Sequence, residues 1–236
     1  MGAKAGFVEE APLGELVSLV GAADGYRLWA ATYDSWPNPL LALEQRMAAP
    51  LLGSLKGARV LDICAGTGRW MAIAGQMRAS VIGLDLSPEM LGRAAAKPGL
   101  AGRLVVGDIA QLPFANRSAD VAICSFAISY VTSVRQALRE IARISRRVMI
   151  SDMHPAAMDA GWTRSFETTC RKYRIAHYRY SLAEIEKAAY AAGLRPECDI
   201  EASFGEPERR IFERAGKRDR FEEASKIPAI FVKTWV

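Results

Sequence analysis

The sequence predicts an α/β fold in which helices cover both faces of a doubly wound, mostly parallel sheet. Five short segments are apolar almost without interruption: 58–64, 80–85, 103–108, 120–125 and 147–152. Such runs are typical of strands that are buried on both faces, as in a parallel sheet. The segments between them have helical character, and strands that alternate with helices at this spacing indicate βαβ units.

Capping residues predict where three of the helices begin. Ser87 is placed to cap a helix whose first residue, Pro88, already has the backbone angle that a helix needs. The segments 133–136 and 181–184 both match a capping box. The second of these helices is expected to end at Gly193.

The regions outside this alternating core complete the predicted organisation. Two further strands are placed at 195–202 and 229–236, and residues 7–52 are predicted to be helical. Residues 205–226 carry seven basic and six acidic side chains, a mixture typical of a solvated helix. We expect a single domain, 1–236, with four parts: a helical cap at 1–52, a cofactor-binding core at 53–152, a lid at 153–180, and the rest of the sheet with a charged insertion at 181–236.

Composition excludes several classes of protein. Of the 236 residues, 50% are hydrophobic and 24% are charged, which argues for a sizeable core and against a disordered chain. The four cysteines are too sparse for a disulfide scaffold or a structural zinc site, and no metal is expected. The longest apolar stretch, 121–131, has 11 residues, whereas a membrane helix needs about 20. Because the N-terminus also lacks a signal-peptide pattern, we expect a cytoplasmic protein.

A glycine turn and two acidic residues mark the predicted binding site. Gly66 and Gly68 lie between the first strand and a helix, where the backbone can turn sharply and a ligand can approach it. Asp85 ends the second strand, 19 residues after Gly66, where a carboxylate can bind the hydroxyls of a ribose. Asp108 ends the third strand at the same edge of the sheet. Each acid could instead cap the helix that follows it, but their common register with the turn favours a site.

The residue five positions after Gly66 restricts the type of ligand. A dinucleotide fingerprint has a third glycine there, which lets the helix pack closely on the strand. This chain has Met71 instead. The turn therefore disfavours a pyrophosphate and favours a nucleoside without phosphates.

Four motifs occur in this part of the chain: VLDICAGTG at 60–68, VIGLDLSPEM at 81–90, GDIAQLPF at 107–114 and ADVAIC at 119–124. On these motifs, residues 24–152 resemble the class I S-adenosylmethionine-dependent methyltransferases, particularly the small-molecule group that includes quinone-biosynthesis enzymes. The resemblance implies a Rossmann-like sheet of seven strands with the last one antiparallel. It also implies S-adenosylmethionine as the cofactor and S-adenosylhomocysteine as its product.

The resemblance further implies which residues bind the cofactor. Ala65, Gly66 and Gly68 of the glycine loop would hold the methionine part. Asp85 would bind the ribose hydroxyls, and Asp108 would bind the adenine amino group. The other expected contacts are Ile109, Leu86 and Met90 around the adenine ring, Tyr33 of a Tyr-Asp pair that closes over the cofactor, and Ser125 after the fourth strand.

Two departures from the family pattern are present. Cys64 replaces the first glycine of the loop, which leaves the loop with one flexible position fewer. Residues 143–147 run straight into the fifth strand, where the family has a Pro-Gly-Gly turn; we expect this change to be neutral because it lies far from the site. Cys64 and Cys124 fall within buried-strand patterns and are expected to be unreactive core thiols.

Catalysis of methyl transfer depends mainly on alignment and exclusion of water, because the sulfonium is already a good leaving group. If the acceptor must lose a proton first, His154 after the fifth strand is the candidate base. The alternative is that His154 caps or packs a helix. Tyr130, beyond the fourth strand, would hydrogen-bond the acceptor or else fill the core. We expect a small-molecule acceptor, with oxygen, nitrogen, sulfur and carbon all open as the methylated atom.

Aromatic residues predict a lid over this site. Segments 26–38 and 153–180 are expected to face each other across the cofactor and enclose the methyl group. The second segment has five basic and two acidic residues, which hints at an anionic or electron-rich acceptor. The alternative is that both segments pack on the sheet as core. The aromatic residues in question are Tyr26, Trp29, Tyr33 and Trp36 in the first segment and Trp162, Tyr173, Tyr178 and Tyr180 in the second.

Three other functions are open at this point: an RNA methyltransferase, an NAD-type oxidoreductase and a non-catalytic nucleoside-binding scaffold. Nucleic acid is not expected as a partner, because the net charge of +5 is modest and the chain has no RNA-binding module. The cofactor could also serve chemistry other than methyl transfer, since function depends on the site rather than on the fold.

Overall fold

The computed structural model describes residues 17–35 and 37–236. Its strands are β1 (Val17–Val20), β2 (Arg59–Ile63), β3 (Ser80–Asp85), β4 (Leu104–Val106), β5 (Ala119–Ser125), β6 (Ser145–Met153), β7 (Ser165–Glu167), β8 (Lys172–Ile175), β9 (Pro196–Ala202) and β10 (Ile230–Trp235). Its helices are α1 (Ala22–Trp29), α2 (Pro39–Leu52), α3 (Arg69–Gln76), α4 (Pro88–Ala95), α5 (Val134–Ile144), α6 (Pro155–Asp159), α7 (Leu182–Ala191), α8 (Glu206–Arg214) and α9 (Arg218–Ala224), with a 3₁₀ turn at Ile128–Tyr130. Within these ranges, no helix has both the length and the apolar character that crossing a membrane requires.

Seven of the strands form one sheet in the order β4-β3-β2-β5-β6-β10-β9. Neighbours from β4 to β6 are parallel, and β10 is antiparallel to both β6 and β9. The predicted Rossmann-like, doubly wound sheet with an antiparallel last strand is therefore confirmed. The chain runs from β2 to β3 in one direction and returns at β5 to continue in the other. A crevice is expected at this reversal, at the carboxyl ends of β2 and β5.

Each face of the large sheet is covered by its own layer of helices. One buried core contains Leu43 of α2 and Met71 of α3, and the other contains Ile141 of α5. Strand β5 supplies both cores, with Ile123 in the first and Cys124 in the second. This burial on two sides explains why the strand sequences are apolar almost without interruption.

The predicted helix starts are found, with one difference in detail. At α7, the Ser181 hydroxyl accepts from the Glu184 amide at 3.2 Å, and the Glu184 carboxylate accepts from the Ser181 amide at 2.8 Å. At α5, Ser133 accepts from the Gln136 amide at 3.2 Å. The Gln136 side chain, however, donates to the carbonyl oxygen of Ala110 at 3.0 Å. The capping box predicted at 133–136 is therefore not completed.

The N-terminal region is not wholly helical as predicted, because Val17–Val20 forms strand β1. This strand pairs in parallel with β8, which pairs antiparallel with β7, and the three strands form a second, small sheet. Since β7 and β8 belong to segment 153–180, the expected cap and lid share this sheet. Strands of three or four residues are too short to show alternation, and the pairing joins Val17 to the distant Lys172, so no local pattern predicts it.

The charged segment 205–226 is also different from the single solvated helix that its sequence predicts. It contains two helices, and Phe212 of α8 and Phe221 of α9 are buried. Glu208 is buried as well, and it accepts hydrogen bonds from Arg46 of α2, at 3.0 Å from Nε and 2.9 Å from Nη2. One face of the segment thus packs against the protein, and the charge count alone does not reveal this.

Candidate functional site

A cavity of about 340 Å³ opens at the carboxyl ends of β2, β3, β4 and β5, where the reversal of strand order predicts a crevice. Ten of the predicted site residues line it: Tyr33, Ala65, Gly66, Asp85, Leu86, Met90, Asp108, Ile109, Ser125 and Tyr130. The structure does not bring Gly68 or His154 to the cavity lining.

The loop after β2 turns sharply because three of its residues have left-handed backbone angles. They are Cys64 (φ 59°), Gly66 (φ 55°) and Gly68 (φ 78°). Cys64 thus adopts the conformation that a glycine would favour, which costs a residue with a side chain about 1–2 kcal/mol. A hydrogen bond with Cys124 and burial both raise the pKa of the Cys64 thiol, so the thiol stays protonated at neutral pH.

Gly68 holds the loop against its neighbours rather than facing the cavity. A Cβ atom at this position would lie 2.7 Å from Cδ1 of Leu100 and 3.1 Å from Cβ of Ala94. Such contacts are closer than packed atoms allow, so a side chain here would push the loop away from α4. The glycine at this position is therefore explained by packing.

Asp85 and Asp108 are each oriented by the backbone that follows their strands. Asp85 accepts hydrogen bonds from the amides of Gly66 at 2.7 Å and Ser87 at 2.9 Å. Burial raises the pKa of Asp85, although these hydrogen bonds oppose the rise. Asp108 is exposed and accepts from the Ala110 amide at 2.8 Å. Both acids thus stabilise local turns and both line the cavity, whereas the helix cap of the alternative interpretation is supplied at α4 by Ser87 and not by Asp85.

A buried polar network beneath the cavity is not predicted by the sequence analysis. Glu44 of α2 is fully buried, and its carboxylate accepts four hydrogen bonds that tie α2 to α3, β5 and β6. The donors are Nη2 of Arg69 at 2.7 Å, Nε1 of Trp70 at 3.0 Å, Oγ of Ser125 at 3.0 Å and Oγ of Ser151 at 2.6 Å. The sequence does contain one signal for this network. Glu44 is four residues from both Leu40 and Ala48, which places it on the buried face of α2.

Arg69 and Asp62 bring opposite charges to the same part of the cavity. Nη2 of Arg69 also donates to Ser125, whereas its Nη1 is buried and has no hydrogen-bond partner among the described residues. Asp62 accepts from the Met71 amide at 3.1 Å, and burial raises the pKa of Asp62 to about 7. A guanidinium with an unused donor and a neighbouring carboxyl group suit a zwitterionic ligand such as an amino acid. We call Asp62, Arg69, Asp85 and Asp108 the carboxylate end of the cavity.

A second part of the cavity lining, which we call the tyrosine end, is formed by Tyr26, Tyr33, Tyr130 and Phe126. The ring centroids of Tyr26 and Tyr130 are 5.4 Å apart, and those of Tyr26 and Tyr33 are 6.1 Å apart. Burial raises the pKa of Tyr130 to about 12, so its hydroxyl is a hydrogen-bond donor at neutral pH. Tyr130 therefore presents a hydrogen-bond donor at the cavity lining, and its contact with an acceptor stays a prediction.

The Tyr33-Asp34 pair is tied to the glycine loop. Asp34 accepts from Oγ1 of Thr67 at 2.9 Å and lies 2.8 Å from Nζ of Lys97. These contacts hold the segment after α1 against the glycine loop, and the closure of the pair over a ligand stays a prediction.

The two predicted lid segments do contact each other, through fewer aromatic residues than expected. Trp29 stacks on Phe166 at 5.1 Å, and Phe166 stacks on Tyr173 at 5.1 Å. Trp162 instead packs against Phe204, and Tyr178 stacks on Tyr180, in both cases away from the cavity lining. Trp36 lies outside the described residues. The contact between the segments thus contains core packing, as the alternative interpretation has it.

His154 has the structural role that was the alternative to catalysis. Its Nδ1 accepts from the Ala156 amide at 3.0 Å and so caps α6, and its Nε2 lies 2.9 Å from the Glu201 carboxylate. Glu201 belongs to β9, at the edge of the sheet far from β2. Because both ring nitrogens are engaged away from the cavity, the structure does not support His154 as the base.

This arrangement, a switch-point cavity with acids at the ends of neighbouring strands, is typical of α/β folds that bind nucleosides. Residues 60–147 match a family model described as a methyltransferase domain. The resemblance seen in the sequence is confirmed for this region of the chain.

Similar proteins extend the comparison. The chain is 35% identical to the biotin biosynthesis bifunctional protein BioHC of Cellvibrio japonicus over 132 residues, which are 55% of this chain and 26% of that protein. It is 28% identical to the chloroplastic 2-phytyl-1,4-beta-naphthoquinone methyltransferase of Arabidopsis thaliana, over 75% of this chain and 80% of that protein. Among solved structures, an S-adenosylmethionine-dependent methyltransferase from Mesorhizobium loti superposes with a TM-score of 0.65 at 22% identity, over 84% of this chain and 99% of that one.

These likenesses have different extents. The chain spans between 26% and 53% of the length of the first three curated relatives that it matches. The structural likeness, at its low identity, shows that the fold is that of S-adenosylmethionine-dependent methyltransferases.

Proposed function

We propose that this protein is an S-adenosylmethionine-dependent methyltransferase that acts on a small-molecule acceptor. The observation that carries the proposal is the carboxylate end: three acids and one arginine with an unused donor, placed around one cavity at the switch point of a methyltransferase fold. Each has the chemistry that one part of the cofactor needs. We further propose that the described chain acts as one domain and that it works in the cytoplasm.

The residues present fit the cofactor group by group. Arg69 would bind the methionine carboxylate, and Asp62 would bind the ammonium. Asp85 would accept from the ribose hydroxyls while the Gly66 and Ser87 amides hold it in place. Asp108 would accept from the adenine amino group, with the buried Ile109 beside it.

The bound cofactor supplies a methyl group on a positively charged sulfur, ready for displacement. The protein's own residues then have two tasks, namely to align the acceptor and to exclude water. Tyr26, Tyr33 and Tyr130 are suited to both, because they carry hydrogen-bond donors on large apolar rings. The name of the naphthoquinone methyltransferase from Arabidopsis thaliana supports an aromatic acceptor for such a site.

An oxidoreductase that uses NAD is disfavoured by the packing of α3. A Cβ on Gly83 of β3 would lie 2.4 Å from Sδ of Met71, so the methionine fills the space between α3 and β3. In the dinucleotide fingerprint, a glycine at the position of Met71 creates this close approach. In this chain the small residue, Gly83, is on strand β3 and the large residue, Met71, is on helix α3, which is the reverse of the dinucleotide pattern.

Calorimetric titration of the chain with S-adenosylhomocysteine and with NAD tests the cofactor assignment. We expect saturable binding of S-adenosylhomocysteine and none of NAD. Binding of NAD alone would support the oxidoreductase, and binding of neither would contradict the proposal.

Incubation with methyl-labelled cofactor tests the acceptor class, using a metabolite extract and total RNA as separate substrates. We expect label in small molecules that depends on the protein. Label in RNA alone would overturn the small-molecule assignment. Binding without any transfer would favour a nucleoside-binding scaffold or other cofactor chemistry.

A further inference from the structure

Arg164 is a buried cation for which the described chain supplies no hydrogen-bonding anion. The residue is 7% exposed, and its Nη2 atom is buried and forms no hydrogen bond within the described ranges. Its guanidinium carbon lies 4.4 Å above the ring of Phe126, and its own carbonyl oxygen accepts from the Ile175 amide at 2.9 Å. The small sheet therefore fixes this side chain against the tyrosine end. Burial of a charge without a hydrogen-bonded partner is costly, so such an arrangement calls for a further ligand.

The groups around Arg164 do not neutralise it by direct contact. Those that interact with it electrostatically are Tyr130, Tyr26, Tyr33 and Asp152, and they raise the pKa of Arg164 although its burial acts to lower it. Asp152 is the one carboxyl group among these four, but its oxygens accept from the amides of Ser129 at 2.9 Å and Met153 at 2.7 Å. Among the described residues, it forms no ion pair with Arg164.

The three tyrosines are hydrogen-bond donors rather than counter-charges. Burial raises the pKa of Tyr26 and of Tyr33 above the usual value, as it does for Tyr130. Their hydroxyls are therefore protonated at neutral pH. Among the described residues, Arg164 does not itself line the cavity, but its guanidinium lies over Phe126, which does, so one positive charge stands beside these donors.

We propose that the tyrosine end recognises an anionic oxygen of the acceptor, either a carboxylate or the phenolate or enolate of a ring, with Arg164 as its counter-charge and the tyrosine hydroxyls as donors. This inference rests on the proposed methyltransferase function and adds the substrate class. Charge-assisted hydrogen bonds of this kind are the strongest that a buried site offers.

An anionic acceptor also removes the need for a base. In the transfer, a lone pair of the acceptor forms the bond to the methyl carbon, while the carbon–sulfur bond breaks and its electron pair stays on sulfur. The acceptor loses its negative charge, the sulfonium loses its positive charge, and no proton is released. The described residues that line the cavity include no histidine or lysine, which agrees with such a step.

Binding of probe anions to the wild-type protein in the presence of saturating S-adenosylhomocysteine tests the proposal directly. The probes are benzoate and 4-nitrophenolate, each compared with a neutral isostere, benzamide and 4-nitroaniline respectively. We expect at least one anion to bind about tenfold or more tightly than its isostere. Equal or weaker binding of both anions would overturn the inference, and this comparison requires no variant.

Variants then assign the preference to Arg164. Arg164→Met keeps an unbranched side chain over Phe126 without the charge, and it should abolish the preference for anions, whereas Arg164→Lys should retain part of it. The matched control is Arg209→Met, because the guanidinium of Arg209 also lies over a phenylalanine ring, 5.7 Å from the centroid of Phe221, away from the cavity. A preference that survives in Arg164→Met would contradict the assignment.

The same titrations separate the two proposals. If the wild-type protein does not bind S-adenosylhomocysteine, the proposed function fails. If it binds S-adenosylhomocysteine and does not discriminate between anions and neutral probes, this inference alone fails.

Discussion

The two ends of the cavity are built in different ways. The carboxylate end comes from one continuous stretch, residues 62–108, in which amides two residues further along the chain orient Asp85 and Asp108. The tyrosine end, with Arg164 stacked on its Phe126, is assembled from distant parts of the chain: α1 and the turn after it, residues 126–130, and the residue before β7. Most contacts of the first end are local, although the distant Glu44 and Ser125 hold its Arg69, whereas the second end depends on tertiary packing throughout. A binding function can therefore be retained at the first end while specificity changes at the second.

The largest expected effect concerns Glu44, whose network supports the carboxylate end from below. Glu44→Gln should lower the free energy of unfolding by about 3–5 kcal/mol, because it leaves the Arg69 guanidinium without its carboxylate. Urea denaturation measures this directly. The control is Asp24→Asn, which removes an ion pair whose side chains are 51% and 69% exposed and should cost about 0–1 kcal/mol. Equal losses in both variants would contradict a supporting role for the buried network.

The next effect is a pH dependence that comes from Asp62. Its pKa is raised to about 7 in the folded protein, so the folded state holds a proton that the unfolded state releases between about pH 4 and pH 7. The contribution of Asp62 to the free energy of unfolding is fully present below pH 4 and is lost as the pH rises through 7. Asp62→Asn should therefore reduce the downward slope of stability against pH in this window, by up to about 1.4 kcal/mol per pH unit.

Asp120 provides the matched control for this measurement. A hydrogen bond from Arg59 lowers the pKa of Asp120 to about 2, so its contribution is lost only as the pH falls through 2. Asp120→Asn should leave the slope between pH 4 and pH 7 unchanged. If Asp62→Asn has the same slope as the wild type between pH 4 and pH 7, Asp62 is ionised in the folded protein and the prediction is wrong.

The smallest effect is expected at His154, which lies outside both ends. His154→Gln should lower the stability by about 1 kcal/mol, since it removes the cap of α6 and the contact with Glu201. It should leave the affinities for S-adenosylhomocysteine and for benzoate unchanged. A loss of benzoate binding in this variant would return His154 to the site.

The same contrast explains what could be predicted from the sequence. The seven strands, the glycine turn and Asp85 are encoded in local runs and spacings, and the structure places them as predicted. Arg164 acts through partners far away in the chain, so no local pattern marks it as a member of a site, and the only local signal for Glu44 is its position on the buried face of α2. Strand β1 is missed for the same reason, because its partner β8 lies in another part of the chain.

His154 illustrates the opposite error. Its position after the fifth strand and the chemistry of the imidazole side chain make it an attractive base in the sequence. The structure shows both ring nitrogens engaged with Ala156 and Glu201. Position along the chain places a residue near the correct edge of the sheet, but the direction of its side chain is decided by tertiary contacts.

The affinity for S-adenosylhomocysteine in three variants tests the central claim, that the carboxylate end binds the cofactor independently of the tyrosine end. Asp85→Ala should weaken binding by about 1.5–3 kcal/mol, because it removes hydrogen bonds to a charged group. Asp120→Ala, at the other end of β5 in contact with Arg59, should have no effect. Arg164→Met should stay within about twofold of the wild type, since independent sites are additive. Unchanged affinity in Asp85→Ala, or an equal loss in Arg164→Met, would contradict the claim.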